Sequence, residues 1–387
     1  MERLKLGDIC DILNGYAFKS SKYVDHGVRI IRITNVQKGL IIDEDPKFYP
    51  EESLPAINKY ILEKDDLLIS LTGNVGRVGL LTEDLLPAAL NQRVACLRLK
   101  SPKMLKQFLF LLLDSDYFEI QCIHASKGIA QKNLSTEWLK DFPIPMYSLE
   151  KQSEIIEKLG IINRLIFLSQ KAYNQLNLLI KSRFIEMFGD PILNPKHWQE
   201  ARIADVVTDV KYGTSKSADE EGKYKYLRMN NLTDDGHLNL TDLKYINISD
   251  SELDKCIVHK GDILFNRTNS AELVGKTALF DLDEPMVIAG YIIRIRLKEC
   301  LSPVFFNTFM NTPALKNKLH GMAKGAVNQA NINAKELQSI EIVVPPISLQ
   351  LDFENFIQQV DKSRLAVQKS LDKLEILKKS LMQQYFG

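Results

Sequence analysis

Apolar positions along the chain follow two different periods, and the change from one to the other happens twice. Over residues 1–148, short β-branched runs at 28–33, 67–71 and Val94–Leu99 alternate with turn residues and predict strands. Segments 104–120 and 303–320 are longer and apolar at helical spacing, so the pattern predicts mixed α/β domains and not all-β ones. After Pro143 and Pro145, and again after Pro345 and Pro346, the spacing lengthens. Ile155, Leu159, Ile162, Ile166, Tyr173, Leu176, Ile180, Phe184 and Met187 fall at steps of three, four or seven. Phe353, Phe356, Val360, Val367, Leu371, Leu374, Leu377, Leu381 and Tyr385 do likewise, so each set lies along one narrow stripe of a helix.

Ser148 and Ser348 stand where helix N-caps belong, and Gly189-Asp190-Pro191 ends the first long helix. A helix over 149–188 would extend roughly 60 Å, more than its own small domain can cover. One reading packs each stripe on the nearest core. The other sets the stripes face to face as an antiparallel coiled coil about a pseudo-two-fold axis.

The second reading gains from an internal repeat. QKAYNQLNLLIKSRFIEMFG at 170–189 returns as QKSLDKLEILKKSLMQQYFG at 368–387, an offset of 198. Arg32 and Asn35 recur as Arg228 and Asn231, and Lys64, Asp66, Leu68 and Thr72 as Lys260, Asp262, Leu264 and Thr268, all at 196. Leu-Arg-Leu-Lys at 97–100 reappears as Ile-Arg-Leu-Lys at 295–298, and Lys127-Gly128 as Lys324-Gly325. The expected organisation is a globular domain over 1–148, a long helix over 149–189, a second domain over 190–347 and a second long helix over 348–387.

Composition narrows the function. With 50 Lys+Arg against 49 Asp+Glu the formal charge is +1, so any nucleic-acid surface must be local or completed by a partner. Five cysteines, an odd number with no C-x-x-C pair, fit a reducing cytoplasm, and no apolar run is long enough to span a bilayer. Gly275-Lys276-Thr277 imitates the end of a phosphate-binding loop, but Ser270 stands where that loop needs glycine and the first copy reads Gly76-Arg77-Val78. Asp45-Pro46-Lys47 and Asp242-Leu243-Lys244 resemble nuclease fragments without a second carboxylate cluster, and the six histidines lack metal-ligand spacing. The chain therefore predicts no active site, no metal and no bound cofactor of its own.

Polar loops at matched positions remain. One carries Tyr16, Phe18, Lys19, Ser20 and Lys22, against Tyr212, Thr214 and Lys216 in the second copy. Another carries Thr72, Asn74 and Arg77, against Arg267, Asn269 and Lys276. A third carries Lys127, Gln131, Lys132 and Asn133, against Lys324, Asn328, Gln329 and Asn331; Gln92 and Arg93, with Arg32, Asn35, Arg228 and Asn231, complete the set. Lys and Arg neutralise phosphates and Asn and Gln read base edges, so recurrence of these loops points to a shared DNA-binding surface; ordinary turns are the competing reading for any single residue.

The chain resembles the specificity subunit of a type I restriction–modification system over essentially its whole length. The likeness rests on ILNGYAFKSSKY followed by IRITNV, SLTGNVGRVG leading to ALNQ, GIAQKNLS, the MFGDP junction and the KKSLMQQYFG end. The second copy departs from it, with Ala289-Gly290-Tyr291 where the first has Asn91-Gln92-Arg93. The resemblance implies two target-recognition domains joined by two long antiparallel helices and no catalysis by the subunit itself. It also implies that double-stranded DNA, two methylation subunits and restriction subunits are the partners. S-adenosylmethionine, ATP and magnesium are then expected on those partners. Because the two loop sets differ, the half-sites should differ. The alternatives are the recognition part of a DNA-modifying methyltransferase or nuclease, and a two-module protein-binding scaffold.

Overall fold

A computed structural model describes residues 2–126, 133–269, 274–322 and 330–387. Two helices of 40 residues, Leu149–Phe188 and Ile347–Phe386, dominate it. The chain divides into two compact units, one of residues 1–170 with 369–387 and one of residues 171–368, so each helix gives a little over half its length to one unit and the rest to the other.

In the first unit a four-stranded antiparallel sheet runs in the order Cys10–Asn14, Val94–Leu99, Leu67–Ser70, Val78–Leu80. The second unit repeats it as Val207–Tyr212, Ile292–Leu297, Ile263–Asn266, Thr277–Leu279. A smaller sheet follows in each, built around Val28–Ile31 with Ala88–Leu90 in parallel, and around Tyr224–Leu227 with Met286–Ile288 in parallel. A short ribbon closes each domain, pairing Arg3–Lys5 with Pro143–Pro145 and Gln199–Arg202 with Glu341–Val344.

Several recurring landmarks are framework. Asp66 accepts from the Glu63 N–H and from Nε and Nη2 of Arg98, and Asp262 accepts in the same way from the His259 N–H and from Arg296. Both carboxylates are buried, and each joins two neighbouring strands with charge-assisted hydrogen bonds. The apolar spacing over 104–120 continues through a break: Asp114 ends the helix Lys106–Leu113, and Ser115 caps Asp116–Ala125 by accepting from the Phe118 N–H. The strand at 28–33 stops at Ile31 because Asn35 locks a turn immediately after it.

The helical stripes pair antiparallel within each unit. Ile155 and Leu159 share the first domain's core with Tyr385 and Phe386, flanked by Leu381. Phe184 and Phe188 share the second domain's core with Phe353, flanked by Ile180 and Phe356. Ile162, Val360 and Leu371 are buried; Ile166, Tyr173, Leu176, Val367 and Leu374 are half-buried. Leu377 is exposed instead, because the buried row steps from Leu371 and Leu374 through Lys378 to Leu381 and Tyr385. Ser148 does cap its helix, accepting from the Lys151 N–H, whereas Ser348 lies inside the first turn of a helix that already begins at Ile347 after two prolines. Gly189 closes the first helix with φ +81 and its N–H on the Ile185 carbonyl.

Candidate nucleic-acid interface

Strand direction gathers the predicted loops. The central strand Val94–Leu99 is antiparallel to both neighbours, so its start meets the ends of Cys10–Asn14 and Leu67–Ser70 at one edge of the sheet. Four segments are stitched together there. Tyr16 donates its N–H to the Leu90 carbonyl (2.8 Å), Gln92 to Tyr16 (2.9 Å), Leu71 to Arg93 (3.0 Å) and Leu134 to Leu71 (2.8 Å). The second domain repeats each bond: Thr214 to Ile288 (2.9 Å), Gly290 to Thr214 (2.7 Å), Arg267 to Tyr291 (2.9 Å) and Ile332 to Arg267 (2.9 Å).

Two glycines make the weave possible. A Cβ on Gly15 would lie 2.1 Å from the Asn91 carbonyl oxygen, and one on Gly213 would lie 2.2 Å from that of Ile288. No side chain fits between those backbones. The weave also fixes the correspondence of side chains: Tyr16 with Thr214, Leu71 with Arg267, Gln92 with Gly290, Arg93 with Tyr291. The same scaffold carries different chemistry in each copy.

At the first edge Tyr16 and Phe18 form an aromatic group with Tyr60 and Tyr49, with centroids 4.9–5.2 Å apart. Lys19, Ser20 and Lys22 are exposed on the turn beside it, and Gln92 and Arg93 are exposed on the neighbouring turn. Among the described residues none of Lys19, Lys22 and Arg93 is in an ion pair, so their charge is available to phosphates. Thr72 is half-buried and bridges to Asn133, while Asn74 is exposed with its carbonyl held by the Ser70 hydroxyl. Arg77 turns inward to the Gln37 amide oxygen.

At the second edge Tyr212 and Tyr291 are exposed, and Arg267 stacks on the Tyr212 ring with its guanidinium carbon 4.9 Å from the centroid. Thr268 pairs with Asn331 across the edge. Lys216 is tied to Glu252 at 2.6 Å, which holds that carboxyl below its usual range. Lys276, 15% exposed, is neutralised by Asp234 at 3.3 Å.

Four of the predicted contact residues are engaged within their own domains. Asn35 and Asn231 are 3% and 1% exposed, and their side chains are spent on turns. Asn35 accepts from the Arg32 N–H and donates to the Ile42 carbonyl and Asp43; Asn231 accepts from the Arg228 N–H and donates to the carbonyls of Asn239 and Asp242. Arg32 reaches Asp45, and Arg228 reaches Asp242 at 2.8 Å, so the two Asp-x-Lys triplets supply the acids that hold these arginines. Lys127, Gln131, Lys132, Lys324, Asn328, Gln329 and the side chain of Asn269 lie outside the described residues.

Asn133 and Asn331 of the third loop meet Thr72 and Thr268 across the edge, and sequence reasoning missed Tyr291, whose place depends on the pairing of distant segments. It also missed a cleft of about 1220 Å³ in the second unit, away from the sheet edge, floored by Asn307 and Asn311 and walled by His237 and Arg364. There Arg364 donates to Asp361 (3.0 Å) and the Tyr173 hydroxyl (3.1 Å), with His237 Nε2 at 3.2 Å. Among the described residues no group of three His, Cys, Asp or Glu side chains is placed to hold a metal ion, and no helix is long and apolar enough to cross a membrane.

A twice-built domain whose sheet edge carries a different polar set in each copy defines a sequence-specificity protein. The model of the type I restriction modification DNA specificity domain matches residues 1–178 and 195–376, and the chain belongs to that family. It is 22% identical over 404 residues to the EcoKI specificity subunit of Escherichia coli K12, covering 98% of this chain and 86% of that protein. Against the MjaVIII specificity subunit of Methanocaldococcus jannaschii it is 35% identical over 179 residues, 45% of this chain and 42% of that one. In fold it matches a chain from a structure of type I R-M complex assembly and conformational transition, with TM-score 0.63, 19% identity and coverage of 100% and 97%. The S subunit from M. genitalium matches with TM-score 0.55 and 14% identity, over 100% of this chain and 96% of that one.

Proposed function

We propose that this chain reads an asymmetric, bipartite site on double-stranded DNA, one half-site per domain, and brings other polypeptides to act there. The observation that carries the reading is the repeated backbone weave with unlike side chains. A shared scaffold sets how each domain meets DNA, and Tyr16, Gln92 and Arg93 against Thr214, Tyr291 and Arg267 make the two readings different. The chain itself is non-catalytic in this proposal; methylation with S-adenosylmethionine and ATP- and magnesium-dependent cleavage belong to methylation and restriction subunits.

Support for docked partners comes from the long helices. Ile161 (53%), Phe167 (66%) and Ile376 (69%) in the first unit, and Leu178 (61%) and Leu365 (56%) in the second, are exposed despite being large and apolar. A soluble helix pair rarely leaves that much apolar surface uncovered, and two methylation subunits, one on each half of the pair, are the proposed cover. A net charge of +1 suits a subunit whose partners supply much of the phosphate grip.

Base-resolution sequencing of methylated DNA, with and without this chain, tests the reading. Two unlike half-sites flanking an unspecified gap are expected. A palindromic motif, or methylation independent of the chain, overturns it.

A further inference from the structure

Arg267 differs from the arginines around it. Arg228, Arg294 and Arg296 are each spent on an acid, Asp242, Asp209 and Asp262 respectively, and so are electrically cancelled. Arg267 is held by neutral groups. Its guanidinium lies 4.9 Å from the Tyr212 ring centroid, and its Nε donates to Asn331 Oδ1 at 3.2 Å, an oxygen that also receives the Thr268 hydroxyl at 3.3 Å. The supports are themselves fixed: the Tyr212 hydroxyl accepts the Ala334 N–H at 2.9 Å, and the Arg267 backbone is clamped on both sides by Tyr291 and Ile332.

Among the described residues this arrangement sets the plane of the guanidinium and occupies only its Nε. Among the described residues nothing takes the donors of either Nη group, and no carboxylate takes the charge. A phosphate needs charge but not a fixed plane, and lysine serves it as well. A planar two-donor fork fixed in direction matches the O6 and N7 acceptors of guanine in the major groove, the commonest specific contact of arginine.

We propose that Arg267 reads a guanine in the half-site of the second domain, with Tyr212 and Asn331 as its positioning residues. The inference rests on the DNA-reading function proposed above and sharpens it. The first domain has Leu71 at the corresponding position, so its half-site lacks this contact, and the two halves differ at that base pair for a physical reason.

The test uses the full chain assembled with its methylation subunits, and the duplex target found by methylation mapping. Each half-site pair is replaced in turn by the other three, and binding is measured. The wild-type complex should lose about tenfold or more when one G·C pair is replaced. Arg267→Lys and Arg267→Gln should bind all four pairs at that position within about twofold, with discrimination elsewhere intact. Tyr212→Leu, which leaves the arginine but removes its platform, should weaken discrimination at the same pair.

Uniform weakening by Arg267→Gln with the sequence preference unchanged, and its rescue by Arg267→Lys, would mean a phosphate contact and overturn the proposal. Loss of binding to every duplex by both assembled variants, or a second half-site made of A·T pairs alone, would overturn it too. Absence of any two-part target in the wild-type complex would instead defeat the DNA-reading function on which it rests.

Discussion

The side-chain oxygen of Gln350 accepts the backbone N–H of Ser302 at 2.8 Å, while its amide donates to the carbonyls of Cys300 (3.0 Å) and Pro345 (2.7 Å). Gln152 repeats the arrangement with Leu105, Lys103 and Tyr147. Both glutamines are fully buried, so one side chain pins the start of each long helix to its domain. Gln350→Leu removes three hydrogen bonds and strands two buried backbone groups and a third that is partly buried, and should cost about 2–4 kcal/mol in denaturant unfolding. Gln152→Leu should cost the same within about 1 kcal/mol; a loss below about 0.5 kcal/mol in either would contradict the pinning role.

Asp114 gives the first domain a pH dependence. Burial pushes its carboxyl up to about 6 against the pull of Lys38 and Lys378, and among the described residues its Oδ1 has no hydrogen-bond partner. A carboxyl whose folded value is raised contributes stability below its unfolded value, near pH 4, and loses that contribution as pH rises through 6. The neutral Asn311 stands at this place in the second domain, donating to the carbonyls of Thr277 and Asn307. Asp114→Asn should therefore raise stability by on the order of 1–2 kcal/mol at pH 7 and leave it unchanged at pH 3.5. Melting at the two pH values decides; equal gains at both would rule out titration as the cause.

The second unit is held by a ring cluster, with Phe353 5.6 Å from Phe184 and 5.4 Å from Phe188. Phe353→Ala leaves a cavity between both helices and the domain and should cost about 3–5 kcal/mol. Slowed hydrogen exchange over the first turns of the second long helix should be lost together with that over 180–188. Loss in one segment alone would show that the two are not packed as a unit.

Phe167→Glu and Ile376→Glu change side chains that are mostly in solvent, so unfolding should shift by less than about 0.5 kcal/mol. Co-elution with a methylation subunit on gel filtration should fall at least tenfold. Retained co-elution would move the docking surface off these helices.

Periodicity and repetition made the architecture legible before any coordinates: the long helices, the two domains and their strand runs followed from spacing alone. The candidate site was legible as regions, because matched loops converge on matched sheet edges. It was less legible as residues. Positions retained in both copies, such as Asp66 and Asp262 or Asn35 and Asn231, recur because both copies must fold. Positions at the weave have changed, the buried Leu71 to the half-buried Arg267 and the exposed Arg93 to the exposed Tyr291, and a search for recurrence passes over them. Gln152 and Gln350 carry no local pattern at all, since a lone glutamine in a first helical turn reads as surface. Asn331 stood out as part of a matched loop, but its bond to Thr268 joins segments 63 residues apart, which no spacing shows.

Tyr385 and Phe386 fill the core of the first domain, where Phe386 packs 5.4 Å from Phe108 and the Tyr147 hydroxyl donates to the Tyr385 carbonyl. Residues 1–170 are thus synthesised well before two of the rings in their own core. Until translation reaches those two aromatic rings, the core around Phe108 lacks two of its members.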